Sequence, residues 1–258
     1  MGILTTALTN NHIKVDSSIG QGSNQIKIAG LHLVTIKEFV LLHEEKPRLY
    51  VKFMDVKDRK EISQSFFLIS QGANNTTSVQ NATAEFMINV VSLALGRQGL
   101  IFAGGPNSID EMFVKSDLKT KADGTKVETF IIPSVVDKKI YIATHTQIGV
   151  MKKDGGTLPI EKQTIDPKYV FNANKLTKTE VASGIEEPGV FQTAEKEMNT
   201  KISFEKAEYK KHKECNVKYI QICSRLGISP TTGLIVNNSD KSSNTSTATT
   251  IEPDSSEY

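Results

Sequence analysis

Hydrophobic and polar positions alternate with period two over several stretches of the chain. In residues 25–36, Ile26 and Ile28 flank Lys27, and Leu31 and Leu33 flank His32; in residues 49–54, Leu49, Val51 and Phe53 alternate with Tyr50, Lys52 and Met54. That period, with β-branched and aromatic content, predicts half-buried strands. After the polar turn 56–60, residues 61–69 resume as an antiparallel partner. In that hairpin Leu49, Val51 and Phe53 face the core and Tyr50 and Lys52 stay on the solvent side. Residues 127–132 and 139–150 predict a further pair of strands. Ile140, Ile142, Thr144, Thr146, Ile148 and Val150 share one face of the longer one, and Lys139, Tyr141, Ala143, His145 and Gln147 share the other.

Elsewhere the period changes. Residues 79–95 place Ala82, Phe86, Val90 and Leu93 on one face with Met87, Val91 and Ala94 beside them. This predicts a broadly buried helix that starts near Ser78 or Asn81 and stops at Gly96. Ser108 with Glu111, and Thr177 with Glu180, have capping-box spacing and predict two short helices, the second ended by Gly184. Turns fall in the loop 72–78, at Asp123-Gly124 and at residues 154–156. Residues 157–171 return as one or two strands, whose Pro159 and Pro167 argue against a central position. Residues 192–213 read as a polar, basic helical segment and 217–222 as a last strand. The fold class expected is mainly β with some α: a small OB-fold-like Greek-key barrel with helical insertions.

Composition divides the 258 residues unevenly. In residues 237–258 Ser, Thr and Asn dominate and the aliphatic side chains are Ala248 and Ile251, so this stretch cannot bury enough apolar area to offset its ordering entropy and is expected to be a disordered acidic tail. Residues 1–236 are expected to form one domain. The formal charge of +2 splits the same way, into −3 for the tail, with four acids against Lys241, and +5 for the body. No apolar run approaches the ~20 residues of a membrane span, and the amino-terminal residues lack a secretory pattern. Two cysteines cannot build a disulfide framework, so a reducing, intracellular setting is expected.

Motifs of chemistry are lacking. There is no phosphate loop, dinucleotide fingerprint, nucleophile elbow or metalloprotease helix, so no enzymatic activity and no cofactor is expected. His212, Cys215 and Cys223 supply three metal ligands where a structural site wants four, which argues against a metal. The charge pattern is more informative. Residues 46–60 set Arg48, Lys52, Lys57, Arg59 and Lys60 around Tyr50 and Phe53, and residues 201–225 interleave seven bases with Phe204, Tyr209 and Tyr219. Cations that follow phosphates and rings that stack on unpaired bases are what a single-strand binder needs; the plainer reading is a solvated surface over an ordinary sheet.

With those residues in view, the chain resembles the single-stranded DNA-binding proteins of tailed bacteriophages. The resemblance rests on the order of RLYVKFMDV (48–56), ATAEFMINVVSLALG (82–96), DKKIYIATHTQIGVMKKDGG (137–156), VFNANKLTKTEVASG (170–184) and the acidic tail. It implies an OB-fold core, sequence-tolerant binding of single-stranded DNA, and support of phage replication and recombination in the host cytoplasm. The expected DNA-binding set is Tyr50, Lys52, Arg59, Lys60, Phe67, Lys139, Tyr141, Lys152 and Lys153; with no Trp in the chain, stacking falls to Tyr and Phe. The closing acids Glu252, Asp254 and Glu257 with Tyr258 resemble a tail that engages replication or recombination proteins and competes for the basic groove when DNA is absent. The rival expectation is a non-enzymatic virion or scaffold protein with a β fold.

Overall fold

The computed structural model describes residues 25–71, 77–120, 124–153 and 156–236. Five long strands form its frame. β1 (Gly30–His43), β2 (Arg48–Asp55) and β3 (Glu61–Phe67) follow one another as antiparallel neighbours. β8 (Lys139–Lys153) returns to the other edge of β1, pairing Thr35 with Lys139 and Gly30 with Thr144, and β9 (Gly156–Phe171) lies antiparallel on β8. The spatial order is therefore β9-β8-β1-β2-β3. Three short strands complete an eight-stranded sheet. β7 (Lys126–Ile131) takes the end of β1 that β8 leaves free, β6 (Val114–Thr120) pairs with β7, and β10 (Ile202–Phe204) runs parallel to β8. β4 (Ile69–Gln71) and β5 (Thr77–Val79) form a separate two-stranded ribbon. The fold is mainly β, and among the described residues no backbone ladder joins β3 to β9, so the sheet stays open.

Alternation places the inward residues of β2 and β8 where the pattern predicts; on β1 the inward face falls instead to Val34 and Ile36, while Leu31 and Leu33 lie half-buried on the opposite side and Ile28, ahead of the strand, is exposed. Leu49, Val51 and Phe53 of β2, Val34, Ile36, Phe39 and Leu41 of β1, and Ile140 and Ile142 of β8 meet in one core. Helix α1 (Asn81–Leu95) closes that core, burying Phe86, Met87, Val90 and Val91. It ends at Gly96, whose left-handed φ of 63° lets its N–H return to the Ser92 carbonyl. The N-cap is Gln80, with no side-chain cap, rather than Ser78 or Asn81.

Other boundaries shift for physical reasons. β1 runs on to His43 instead of ending at residue 36, because a bulge at Lys37 resets the alternation and Phe39 and Leu41 return to the core. β9 is an edge strand with Pro159 paired at its outer part, and Pro167 falls in a bulge opposite Ile142 and Ala143, as proline's missing donor requires. Ser108 precedes a 3-10 turn (Ile109–Met112) without capping it. The capping box at Thr177 and Glu180 is present and opens α2 (Lys178–Ala182). Residues 192–213 are not one helix: α3 (Gly189–Thr200) is followed by β10 and a 3-10 turn (Ala207–Lys211). Residues 217–222 are helical, not a strand. They lie in α4 (Lys213–Leu226), where Cys215, Ile222 and Cys223, spaced seven and eight residues apart, form the buried stripe. The Val217 to Ile222 alternation there is incidental, and Val217 and Ile220 are exposed.

Candidate nucleic-acid interface

The β2–β3 hairpin carries its polar residues outward in register. Arg48 lies opposite Phe67, Tyr50 opposite Ser65, Lys52 opposite Ser63 and Met54 opposite Glu61. Phe67 keeps 40% of its surface exposed, while the Arg48 guanidinium stands 5.9 Å from its ring centre. Arg48 is itself buried, and its Nη2 donates to both Glu44 carboxylate oxygens at 2.9 and 3.1 Å. Arg48 thus acts as a packed support for Phe67 rather than as a free cation.

The turn at the far end is built by Asp55. Its Oδ1 accepts the N–H groups of Lys57 and Asp58 at 2.8 and 2.7 Å, and its N–H donates to the Lys60 carbonyl. A short acceptor side chain at the first position of a turn does this readily. Arg59 sits in the left-handed region, with φ of 57°, and its N–H returns to the Asp55 carbonyl at 3.1 Å. The result presents Lys57 and Arg59 to solvent; among the described residues neither has an ion-pair partner. Lys60 lies 3.8 Å from Asp58. Lys52 is engaged: Glu61 accepts from its ammonium at 2.9 Å, and that bond holds the Lys52 pKa above its ordinary value.

Lys139 is exposed and joins this surface, because Lys139, Thr35, Met54 and Glu61 lie in one row across β8, β1, β2 and β3. Tyr141 does not join it. Its ring meets Phe191 of α3 edge-on at 5.1 Å and, with Ala143, Tyr169, Phe171, Ala194 and Met198, belongs to a second core. The polar-side position of Tyr141 in the strand is correct, but α3 covers that side, so the ring is packed by protein. The backbones of Lys152 and Lys153 pair with Thr157 and Gly156 at the tip of the β8–β9 hairpin; their side chains lie outside the described residues. So do the tail residues Glu252, Asp254, Glu257 and Tyr258.

The second basic stretch folds differently from the first. Phe204, Tyr209 and Tyr219 pack around Ile148, Cys215 and Ile222, with Lys206 and Lys210 over the Tyr209 and Phe204 rings at 5.7 and 6.0 Å. Lys201 donates to Asp166 Oδ2 at 2.5 Å. On the same side, His145 shares a hydrogen bond with Ser203 Oγ at 2.8 Å and places Nδ1 3.5 Å from Asp166 Oδ2, which ties β10 to β8 and β9. Burial pushes the His145 pKa below its ordinary value, and Asp166 opposes that shift.

Two polar residues fix the frame of the interface: Glu180, which the sequence pattern singles out only as half of a capping box, and Gln64, which it does not single out. Gln64 Oε1, on β3, accepts the Ile165 N–H at 2.7 Å and the Thr164 hydroxyl at 3.0 Å, so one side chain bridges the open seam between β3 and β9. Glu180 completes the capping box of α2 and also accepts the Gly189 and Val190 N–H groups at 2.9 and 3.1 Å, which fixes the start of α3. Its burial would raise its pKa, but these donors outweigh that and the net shift is downward. Among the described residues no group of three or more His, Cys, Asp and Glu is arranged to hold a metal, and no helix is long and apolar enough to cross a membrane. A scan against protein-family models finds no match, and a search of curated proteins finds none either.

Proposed function

We propose that this chain binds single-stranded DNA without sequence specificity, as a phage-type single-stranded DNA-binding protein built on an OB-like barrel. The observation that carries this reading is the outer face of β2–β3. Tyr50 and Phe67 lie there on a sheet, the engaged ammonium of Lys52 lies between the neighbouring strands, and the Asp55-built turn holds Lys57, Arg59 and Lys60 at one end. Rings stack on bases at about 1–3 kcal/mol each, and flanking cations neutralise phosphates. The topology supports the same reading. β8-β1-β2-β3 follows the 4-1-2-3 order of a Greek key. β9 adds a fifth strand that Gln64 brings to β3, which suits a partly open five-stranded barrel whose second and third strands bind oligonucleotides. Residues 237–258 extend the proposal as an acidic segment for replication or recombination proteins.

The test is a fluorescence titration with oligo-dT against duplex of equal length at several salt concentrations. With Lys52, Lys57, Arg59, Lys60 and Lys139 on the path, preferential single-strand binding with a log–log salt slope of about −3.5 is expected. Phe67→Ala should weaken it about tenfold. Equal affinity for duplex, or no binding to either, would reject the proposal.

A further inference from the structure

The ring of His32, on β1, stands between two oxygens at the end of the sheet where the basic turn lies. Its Nε2 is 2.9 Å from the Ile28 carbonyl oxygen, and its Nδ1 is 3.3 Å from Asp55 Oδ2. A carbonyl oxygen and a carboxylate oxygen only accept hydrogen bonds, and a neutral imidazole carries one N–H and one lone pair. Either neutral tautomer therefore turns a lone pair toward an oxygen. The imidazolium, with two N–H groups, is the form that satisfies both contacts.

Asp55 connects that ring to the proposed interface. Its Oδ1 accepts the Lys57 and Asp58 N–H groups and its Oδ2 faces His32, so one carboxylate joins β1 to the turn that presents Lys57 and Arg59. The Val56 N–H donates to the Leu33 carbonyl and fastens the same turn to the residue after His32. Lys27, Asp58 and Lys60 are the other charged side chains lining the recess beside the ring; Lys60 is 3.8 Å from Asp58, and Lys52 farther along is paired with Glu61. The His32 and Asp55 side chains are 16% and 10% exposed, so salt screens their interaction little. With His32 neutral, the Asp55 charge is met by backbone N–H groups and weakens the attraction of the turn for a phosphate. With His32 protonated, the ring cancels that charge.

We infer that His32 is a positioning residue of the proposed interface and binds a proton when the turn takes up single-stranded DNA. Phosphates along Lys57 and Arg59 favour the imidazolium, and the imidazolium cancels Asp55 and holds the turn to β1, so by linkage each event strengthens the other. Histidine is the side chain that changes charge between about pH 5 and 8, and single-strand affinity should therefore rise as pH falls across that range. The inference rests on the single-strand reading above and adds to it a regulation by protons.

Oligo-dT is titrated into the native chain and into His32→Asn, by calorimetry in two buffers of different ionisation heat and by fluorescence at about pH 6 and about pH 8. Native binding should take up protons and tighten about threefold at the lower pH, the scale of one charge acting on a phosphate across water. Its log–log salt slope should steepen there by about 0.7. His32→Asn keeps His43 and His145 and should show none of the three effects. Imidazole NMR of the native protein needs no variant: the doubly protonated share of His32 should rise when oligo-dT is added at constant pH. Native binding without proton uptake, uptake that survives His32→Asn, or a His32 ring unchanged by oligo-dT would overturn the role of His32 and leave the single-strand reading standing. No native binding of oligo-dT would overturn both.

Discussion

Gln64→Leu tests whether a side chain holds β3 to β9 across the open seam of the sheet. Gln64 Oε1 is the acceptor for the Ile165 N–H at 2.7 Å and the Thr164 hydroxyl at 3.0 Å, and Ile165 is 1% exposed. Leucine keeps much of the volume and removes the acceptor. The Ile165 N–H then has no partner and no water, at a cost of about 1–3 kcal/mol, and the lost Thr164 bond adds about 1 kcal/mol. Apolar burial of the leucine returns part of this, so a net loss of about 2–3 kcal/mol is expected. For a body of this size that lowers the melting temperature by roughly 4–12 °C. Denaturant unfolding measures the loss, and amide exchange locates it: Ile165 should lose protection while the Leu49 and Val51 amides, inside the β1–β2–β3 ladders, keep theirs. A loss below about 0.5 kcal/mol with Ile165 protection unchanged would show that the β3–β9 contact does not depend on Gln64.

Glu180→Ala removes one carboxylate from two helix starts and should cost about 2 kcal/mol or more, read by thermal melting with exchange loss confined to α2 and α3; a melt matching the native one would refute the shared cap. His145 is favoured in its neutral form by burial, so the unfolded chain binds its proton at higher pH than the folded one. Its contribution to stability should therefore be complete above about pH 6.5 and decline as pH falls below that value. His145→Gln should flatten that part of the stability profile, and an unchanged slope would count against the assignment. Tyr141→Ala should lower stability by about 3 kcal/mol, as expected for truncating a packed aromatic against Phe191. Single-strand affinity of the folded variant should change less than twofold, and a tenfold loss would return Tyr141 to the interface.

Much of the frame is legible in the sequence, because it rests on local rules. Period-two alternation is enough to find β2, β3 and β8 and to sort Leu49, Val51 and Phe53 from Tyr50 and Lys52, since adjacent side chains in a strand must point to opposite faces. Spacing is enough to find α1 and its Gly96 stop, and the Thr177 and Glu180 capping box, for the same reason. Where two local rules competed, the pattern misled: Val217 to Ile222 alternates as a strand would, yet Cys215, Ile222 and Cys223 form the stripe that finds a partner surface.

Tertiary structure decided which outward residues stay outward. Tyr141 occupies an outward position on β8, yet the docking of α3 sets Phe191 against its ring and draws it to the second core, whereas Phe67 on β3 stays 40% exposed. It also decided which cations are bare: Lys52 and Lys201 are drawn to Glu61 and Asp166, while the Asp55 carboxylate meets the Lys57 and Asp58 N–H groups and the His32 ring and leaves the Lys57 and Arg59 side chains to solvent. The sequence by itself determined the strands, their faces and a slight excess of basic charge in the body. Whether a given ring or cation is available to a ligand depends on contacts between residues far apart in the chain, and one sequence does not record those.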